Sequence, residues 1–155
     1  CGNAFGFDSG TNGVHYLALK KSELTTGAAA TTQFLADTAN FTSQIMRGPD
    51  NNTSNVYAVS VGSSTSLRLS VLQFNSGGVA TLQRANVAVP GYQRPRNYVD
   101  STGGKVLDPL DVRILTAYYR NGKMLASHTI VRPGGQENAS RWYEINTNNF
   151  PATHF

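Results

Sequence analysis

The side chains of this 155-residue chain that could do chemistry are three histidines, His15, His128 and His154, one cysteine, Cys1, and nine carboxylates. No two histidines stand two or four residues apart, so they write no short metal-ligand motif. No Gly-x-Ser-x-Gly elbow presents a serine nucleophile, and Cys1 has no activating base beside it. His128 lies within a hairpin strand and reads as a hydrogen-bonded strand residue rather than a ligand. No catalytic residue is assigned. Calcium is the one cofactor for which the turns offer oxygens. In Asp8-Ser9-Gly10-Thr11-Asn12-Gly13, Asp8 and Asn12 take the first and fifth positions of a calcium loop. Gly10 gives no ligand at the third, and Leu19 stands where a glutamate would close the loop. A plain turn is the favoured reading.

Binding is a different question. Most aromatic residues fall on strand-like runs, where they serve as core or cross-strand pairs. Tyr92 and Tyr98 instead lie in the loop Gly91-Tyr92-Gln93-Arg94-Pro95-Arg96-Asn97-Tyr98, which would present tyrosines and arginines together. Tyr92, Arg94, Arg96 and Tyr98 are therefore the candidate ligand-binding residues, with glycans as the ligand class. Asn40, Asn51, Asn52 and Asn138 each open an acceptor sequon for N-glycosylation, which matters only in a eukaryotic producer.

The balance of charge excludes little on its own. Thirteen Lys and Arg against nine Asp and Glu give +4 and a pI near 9.4. The basic residues are scattered along the chain, so a solvated surface is expected, with no nucleic-acid partner. No run reaches the ~18 apolar residues of a membrane-spanning helix. Cys1 allows a lipid-modified terminus, a half-cystine with its partner elsewhere, or a thiol without a role.

The elements that must position these residues are strands. Gly, Ser, Thr and Asn make up 57 of 155 residues and charged residues only 14%, a mixture that disfavours helical bundles and charged disordered chains alike. Strand-like runs appear at Val14–Leu19, Thr32–Leu35, Val56–Val61, Leu67–Phe74, Val79–Leu82 and Ala85–Val89, then Val112–Tyr119, Met124–Val131 and Arg141–Ile145. Asn121-Gly122 takes positive φ at low cost and predicts a tight hairpin. The only helix-like piece is Lys20–Leu24, with Ser22 placed to cap it and Gly27 to end it.

Three of these runs begin at residues 14, 67 and 124, a repeat of about 55 residues. Repetition of small antiparallel sheets at that period is the signature of propeller blades. The units fall at about 5–40, 56–92 and 111–147. The expected fold is all-β, with antiparallel sheets in about three propeller-blade-like units forming a partial propeller. A β-sandwich is the alternative.

The stretch from Asp111-Val112-Arg113-Ile114-Leu115 through Tyr119-Arg120-Asn121-Gly122-Lys123-Met124 to Arg141-Trp142-Tyr143-Glu144-Ile145 resembles blades of large secreted bacterial β-propellers of uncharacterised function, sialidase-like in shape. The resemblance is specific over about 35 residues. A sialidase-type activity would need arginines converging on a carboxylate, a tyrosine nucleophile and acidic partners. Arg113, Arg120, Arg132, Arg141, Tyr118, Tyr119, Tyr143 and Glu144 supply the residue types without diagnostic spacing, and the repeated aspartate-box turn is absent.

Three blades leave sheet faces and edges open. The chain is therefore expected to be a piece of a larger chain, or to assemble with copies of itself. The expected function is a non-enzymatic extracellular module, secreted or on the cell surface, serving adhesion, display or assembly. The alternative is a glycan-binding or glycoside-active module.

Overall fold

The computed structural model describes residues 2–5, 13–46, 55–99, 102–147 and 150. Among them the chain forms β1 (Gly2–Phe5), β2 (Val14–Leu19), α1 (Lys21–Thr26), β3 (Thr32–Asp37) and β4 (Gln44–Ile45). There follow β5 (Asn55–Ser63), β6 (Ser66–Phe74), β7 (Ala80–Ala88), β8 (Tyr98–Val99), β9 (Val106–Leu107), β10 (Thr116–Arg120), β11 (Lys123–Val131) and β12 (Asn138–Asn146). The fold is all-β. Its sheets are antiparallel: β1-β2-β3, β4-β5-β6-β7 and β10-β11-β12, with β8-β9 as a small ribbon.

Local sequence explains most of these elements. Asn121 and Gly122 sit at φ 50° and 74° and close the β10–β11 hairpin in the register Arg120 opposite Lys123. The helix begins two residues earlier than a Ser22 cap would allow. Lys20 takes the capping position without a side-chain bond, and the Ser22 carbonyl instead accepts the hydroxyls of Thr25 and Thr26. Gly27, left-handed at φ 73°, ends it. The expected runs Val79–Leu82 and Ala85–Val89 are one strand, because all nine residues of β7 pair with β6 and carry the polar Gln83 and Arg84 through. The expected strand from Val112 starts only at Thr116. Before it, Asp111 folds back on the backbone N–H and guanidinium of Arg113, and the Val112 carbonyl is taken by His128 Nδ1.

The three sheets stack face to face. Val14 and Tyr16 of β2, with Leu35 of β3, pack on Ala58 of β5 and Leu72 of β6. The opposite face of the middle sheet sends Tyr57, Val59, Leu67, Leu69 and Val71 against Ile114, Ala117, Met124, Ala126, Tyr143 and Ile145. The middle sheet is thus covered on both sides, and β5 and β6 show runs of consecutive buried residues in place of strict alternation. The outer sheets alternate. Inward-facing Tyr143 and Ile145 interleave with outward-facing Trp142 and Glu144.

Polar groups also join the layers. Tyr16 donates its hydroxyl to Ser43 Oγ at 2.8 Å, and Ser60 donates to Asn40 Oδ1 at 2.8 Å. Gln33 of β3 spans to the β6–β7 turn, donating to the Gly78 carbonyl and accepting from the Ala80 N–H, both at 2.8 Å. Buried polar groups that are fully bonded fix the register of two faces more narrowly than apolar contact does.

Candidate functional site

Residues 89–97 link β7 to β8, and Pro90, Gly91 and Pro95 keep them out of a regular ladder. Backbone bonds pin the link in place. Val89 N–H donates to the Thr65 carbonyl, Tyr92 N–H to the Ser64 carbonyl and Val131 N–H to the Gln93 carbonyl, at 2.9, 3.1 and 3.0 Å. The link therefore crosses from the β5–β6 turn to the end of β11, bridging the second and third sheets.

Tyr92, Arg94, Arg96 and Tyr98 take different positions along it. Tyr92 is 9% exposed and faces inward, which removes it as an open stacking platform. Its ring meets His128 edge-on at 4.8 Å, its hydroxyl donates to the Ser63 carbonyl at 3.1 Å, and the Arg141 guanidinium lies 5.9 Å from the ring centre. Burial pushes that hydroxyl up to about 12. Arg96 and Tyr98 latch the β11–β12 loop. Asn138 accepts from the Arg96 N–H at 3.0 Å and donates back to its carbonyl at 2.7 Å. The Tyr98 hydroxyl accepts the Asn138 N–H at 2.8 Å and donates to the Gln136 carbonyl. Arg94 is exposed, and no described residue bonds its guanidinium.

Two clefts flank the buried Tyr92. The smaller, of about 280 Å3, is lined by Phe41, Thr42, Ser63, Arg94, Asp111 and Arg113. The Arg113 guanidinium donates twice to the Asp111 carboxylate, at 2.7 and 2.6 Å, and lies 5.7 Å from the exposed Phe41 ring. The Arg113 hydrogen bond holds Asp111 below the usual carboxylate range. Thr42, beside Phe41, has φ 49°, a strained conformation for a β-branched residue. The larger cleft, of about 510 Å3, is lined by Gln93, Arg96, Arg132, Pro133, Gly134 and Gln136.

The groups considered for catalysis do not converge. Tyr143 points inward to His128, at 2.9 Å, while its neighbour Glu144 points outward and pairs with Lys123 at 2.6 Å. Tyr119 stacks on Tyr57, Tyr118 is exposed on the outer face of its sheet, and Arg120 sits at the hairpin end. His128 has both ring nitrogens engaged, Nδ1 with the Val112 carbonyl at 2.7 Å. With Nδ1–H donating to that carbonyl, Nε2 accepts from Tyr143 and the ring is neutral. Burial lowers its pKa.

Among the described residues no three His, Cys, Asp or Glu side chains could hold a metal ion together. The calcium candidates Asp8 and Asn12 lie outside the described residues, as do Cys1, His154, Asn51 and Asn52. Of the other sequons, Asn40 is buried with its amide bonded to Asp37 and Ser70, and Asn138 gives its amide to Arg96. Among the described residues no helix is long and apolar enough to cross a membrane.

Phe41 and Asp111 line the clefts without having marked themselves as site residues in the sequence, and Arg113 and Arg132, noted there only as residue types for a sialidase-type site, line one cleft each. The one local signal was the Pro and Gly punctuation of the loops that carry them. Fold and clefts together define a stack of three antiparallel sheets with a basic, two-lobed surface where the second and third sheets meet. Compared with protein-family models, curated proteins and solved structures, the chain matches none.

Proposed function

We propose that the chain is a non-enzymatic extracellular module of the β-propeller type, secreted or held at the cell surface, that works in adhesion, display or assembly by continuing its stack of sheets. The occupant of the open face is a further antiparallel sheet, from the remainder of a larger chain or from a second copy.

The supporting observation is an asymmetry of burial. The middle sheet is covered on both faces, while the third sheet leaves Tyr118, Leu125 and Trp142 exposed on its outer face, with Trp142 71% exposed. On that face Tyr118 stands opposite Leu125, and Trp142 opposite Ser127 one position along. At the other end of the stack Phe34 is exposed opposite Leu17. Contiguous exposed apolar surface marks an interaction site more often than isolated apolar residues do.

Trp142 is the only tryptophan of these 155 residues, so its fluorescence reports on this face once any tryptophan elsewhere in a longer chain is replaced by phenylalanine. Stacking predicts that emission shifts blue and resists acrylamide quenching, either as the 155-residue chain is concentrated or in the longest natural chain that contains it. The first outcome identifies a second copy and the second identifies the rest of the chain. A fully quenchable Trp142 in both preparations rejects the reading.

A further inference from the structure

The arginines that look scattered in sequence are gathered by the fold. Arg94 and Arg113 line the smaller cleft, Arg96 and Arg132 line the larger, and Arg141 lies over the Tyr92 ring between them. Five of the nine arginines thus line or border these clefts, with the Asp111 carboxylate lining the smaller and the Glu137 carboxylate beside Gly135 of the larger. Only Arg113 has an ion-pair partner there among the described residues. Arg96 is bonded to the neutral side chains of Gln136 and Gln93, and Arg141 to the Pro90 carbonyl. The guanidinium groups of Arg94 and Arg132 have no bonding partner among the described residues. Most of the net charge of +4 is therefore concentrated on this surface.

We infer that this surface binds a carboxylated polysaccharide, a chain of uronic-acid-type sugars laid across the ridge over Tyr92 so that its carboxylates reach Arg94 on one side and Arg132 on the other. Three features select this chemistry. The charge is carried by arginines, whose planar fork matches a carboxylate in two bonds, as Arg113 does with Asp111 at 2.7 and 2.6 Å. The clefts also present polar groups, the exposed Ser63 in one and the exposed Gln93 and Gln136, held by Arg96, in the other, which suit sugar hydroxyls. Two clefts on either side of one ridge fit a ligand with repeated anionic groups better than a single compact anion. Nucleic acid is disfavoured, because single strands are held by several aromatic platforms, and among the described residues Phe41 is the one exposed ring lining the clefts.

This inference does not depend on sheet stacking. Its test measures binding to polygalacturonate, to the same polymer fully methyl-esterified, and to a DNA oligonucleotide of equal charge. Binding to the free acid, weakened by salt and lost on esterification, is expected. Arg94→Gln and Arg132→Gln each lower affinity about fivefold, and the double variant about 25-fold, since the two sit on opposite sides of the ridge. Arg120→Gln, at the β10–β11 hairpin, leaves affinity unchanged. Thermal melts of all variants match the parent, because these side chains support no described contact. Equal binding of the esterified polymer, tighter binding of DNA, or an unaltered double variant would each overturn the assignment.

Discussion

Arg84 of β7 donates Nε to Oδ1 of Asp37, the last residue of β3, at 2.8 Å, and so closes the seam between the first and second sheets. Asp37 is fully buried, and its other oxygen accepts from Asn40 and from Ser70 Oγ. Arg84 keeps 40% of its side chain exposed, so solvent screens the ion pair itself to about 1 kcal/mol. Removing the carboxylate is costlier, because Asn40 and Ser70 then lose an acceptor in a buried place. Asp37→Ala is expected to destabilise by about 3 kcal/mol and Arg84→Ala by about 1 kcal/mol, read from urea midpoints at constant m-value.

His128 makes stability depend on pH. Burial among Tyr92 and Tyr143, with Arg141 near, lowers its folded pKa below the unfolded value of about 6.5. Below that value the unfolded chain takes up a proton that the folded chain resists. Its contribution is therefore full above about pH 6.5 and declines as the pH falls further, toward the folded pKa. The melting temperature should drop between pH 7 and 5, and His128→Gln should flatten that segment of the profile. An unchanged slope in the variant would assign the effect elsewhere.

Gly122 tests the hairpin. Nothing lies within 4 Å of a Cβ built there, so Gly122→Ala introduces no clash and acts only through φ 74°. A loss of about 1 kcal/mol is expected. Gly122→Asn should lose less, since asparagine tolerates the left-handed region.

Burial on both faces of the middle sheet predicts a contrast in core substitutions. Leu69, fully buried on β6, should lose about 3 kcal/mol on truncation to alanine. Phe34→Ala, on the open face of the first sheet and 71% exposed, should stay within about 0.5 kcal/mol of the parent. Equal losses at the two positions would mean that the outer face of the first sheet is covered in the protein as measured.

The amino-acid order alone located most of the longer strands and the β10–β11 turn. Val14–Leu19 is β2 to the residue, and Asn121-Gly122 closes the hairpin it predicts, because alternation and positive φ are properties of a few neighbouring residues. Val56–Val61 read as a strand, and only the packing of the other two sheets shows that it is covered on both sides. Short strands were not legible. Gln44–Ile45 has two residues and exists only because Gln44 and Ile45 pair with Val59 and Ala58.

Only the tertiary structure decided which aromatic residues are presented and which arginines are neighbours. Tyr92 and Tyr98 look alike in one loop, yet the bridge from Gln93 to Val131 turns Tyr92 onto His128 and leaves Tyr98 at the surface. Arg94 and Arg113 are far apart in sequence and share a cleft, as Arg96 and Arg132 share another. Alternation specifies which residues share a face of a strand. Which face is covered, and what meets across a seam, depends on how separate sheets pack, and short-range sequence does not encode that.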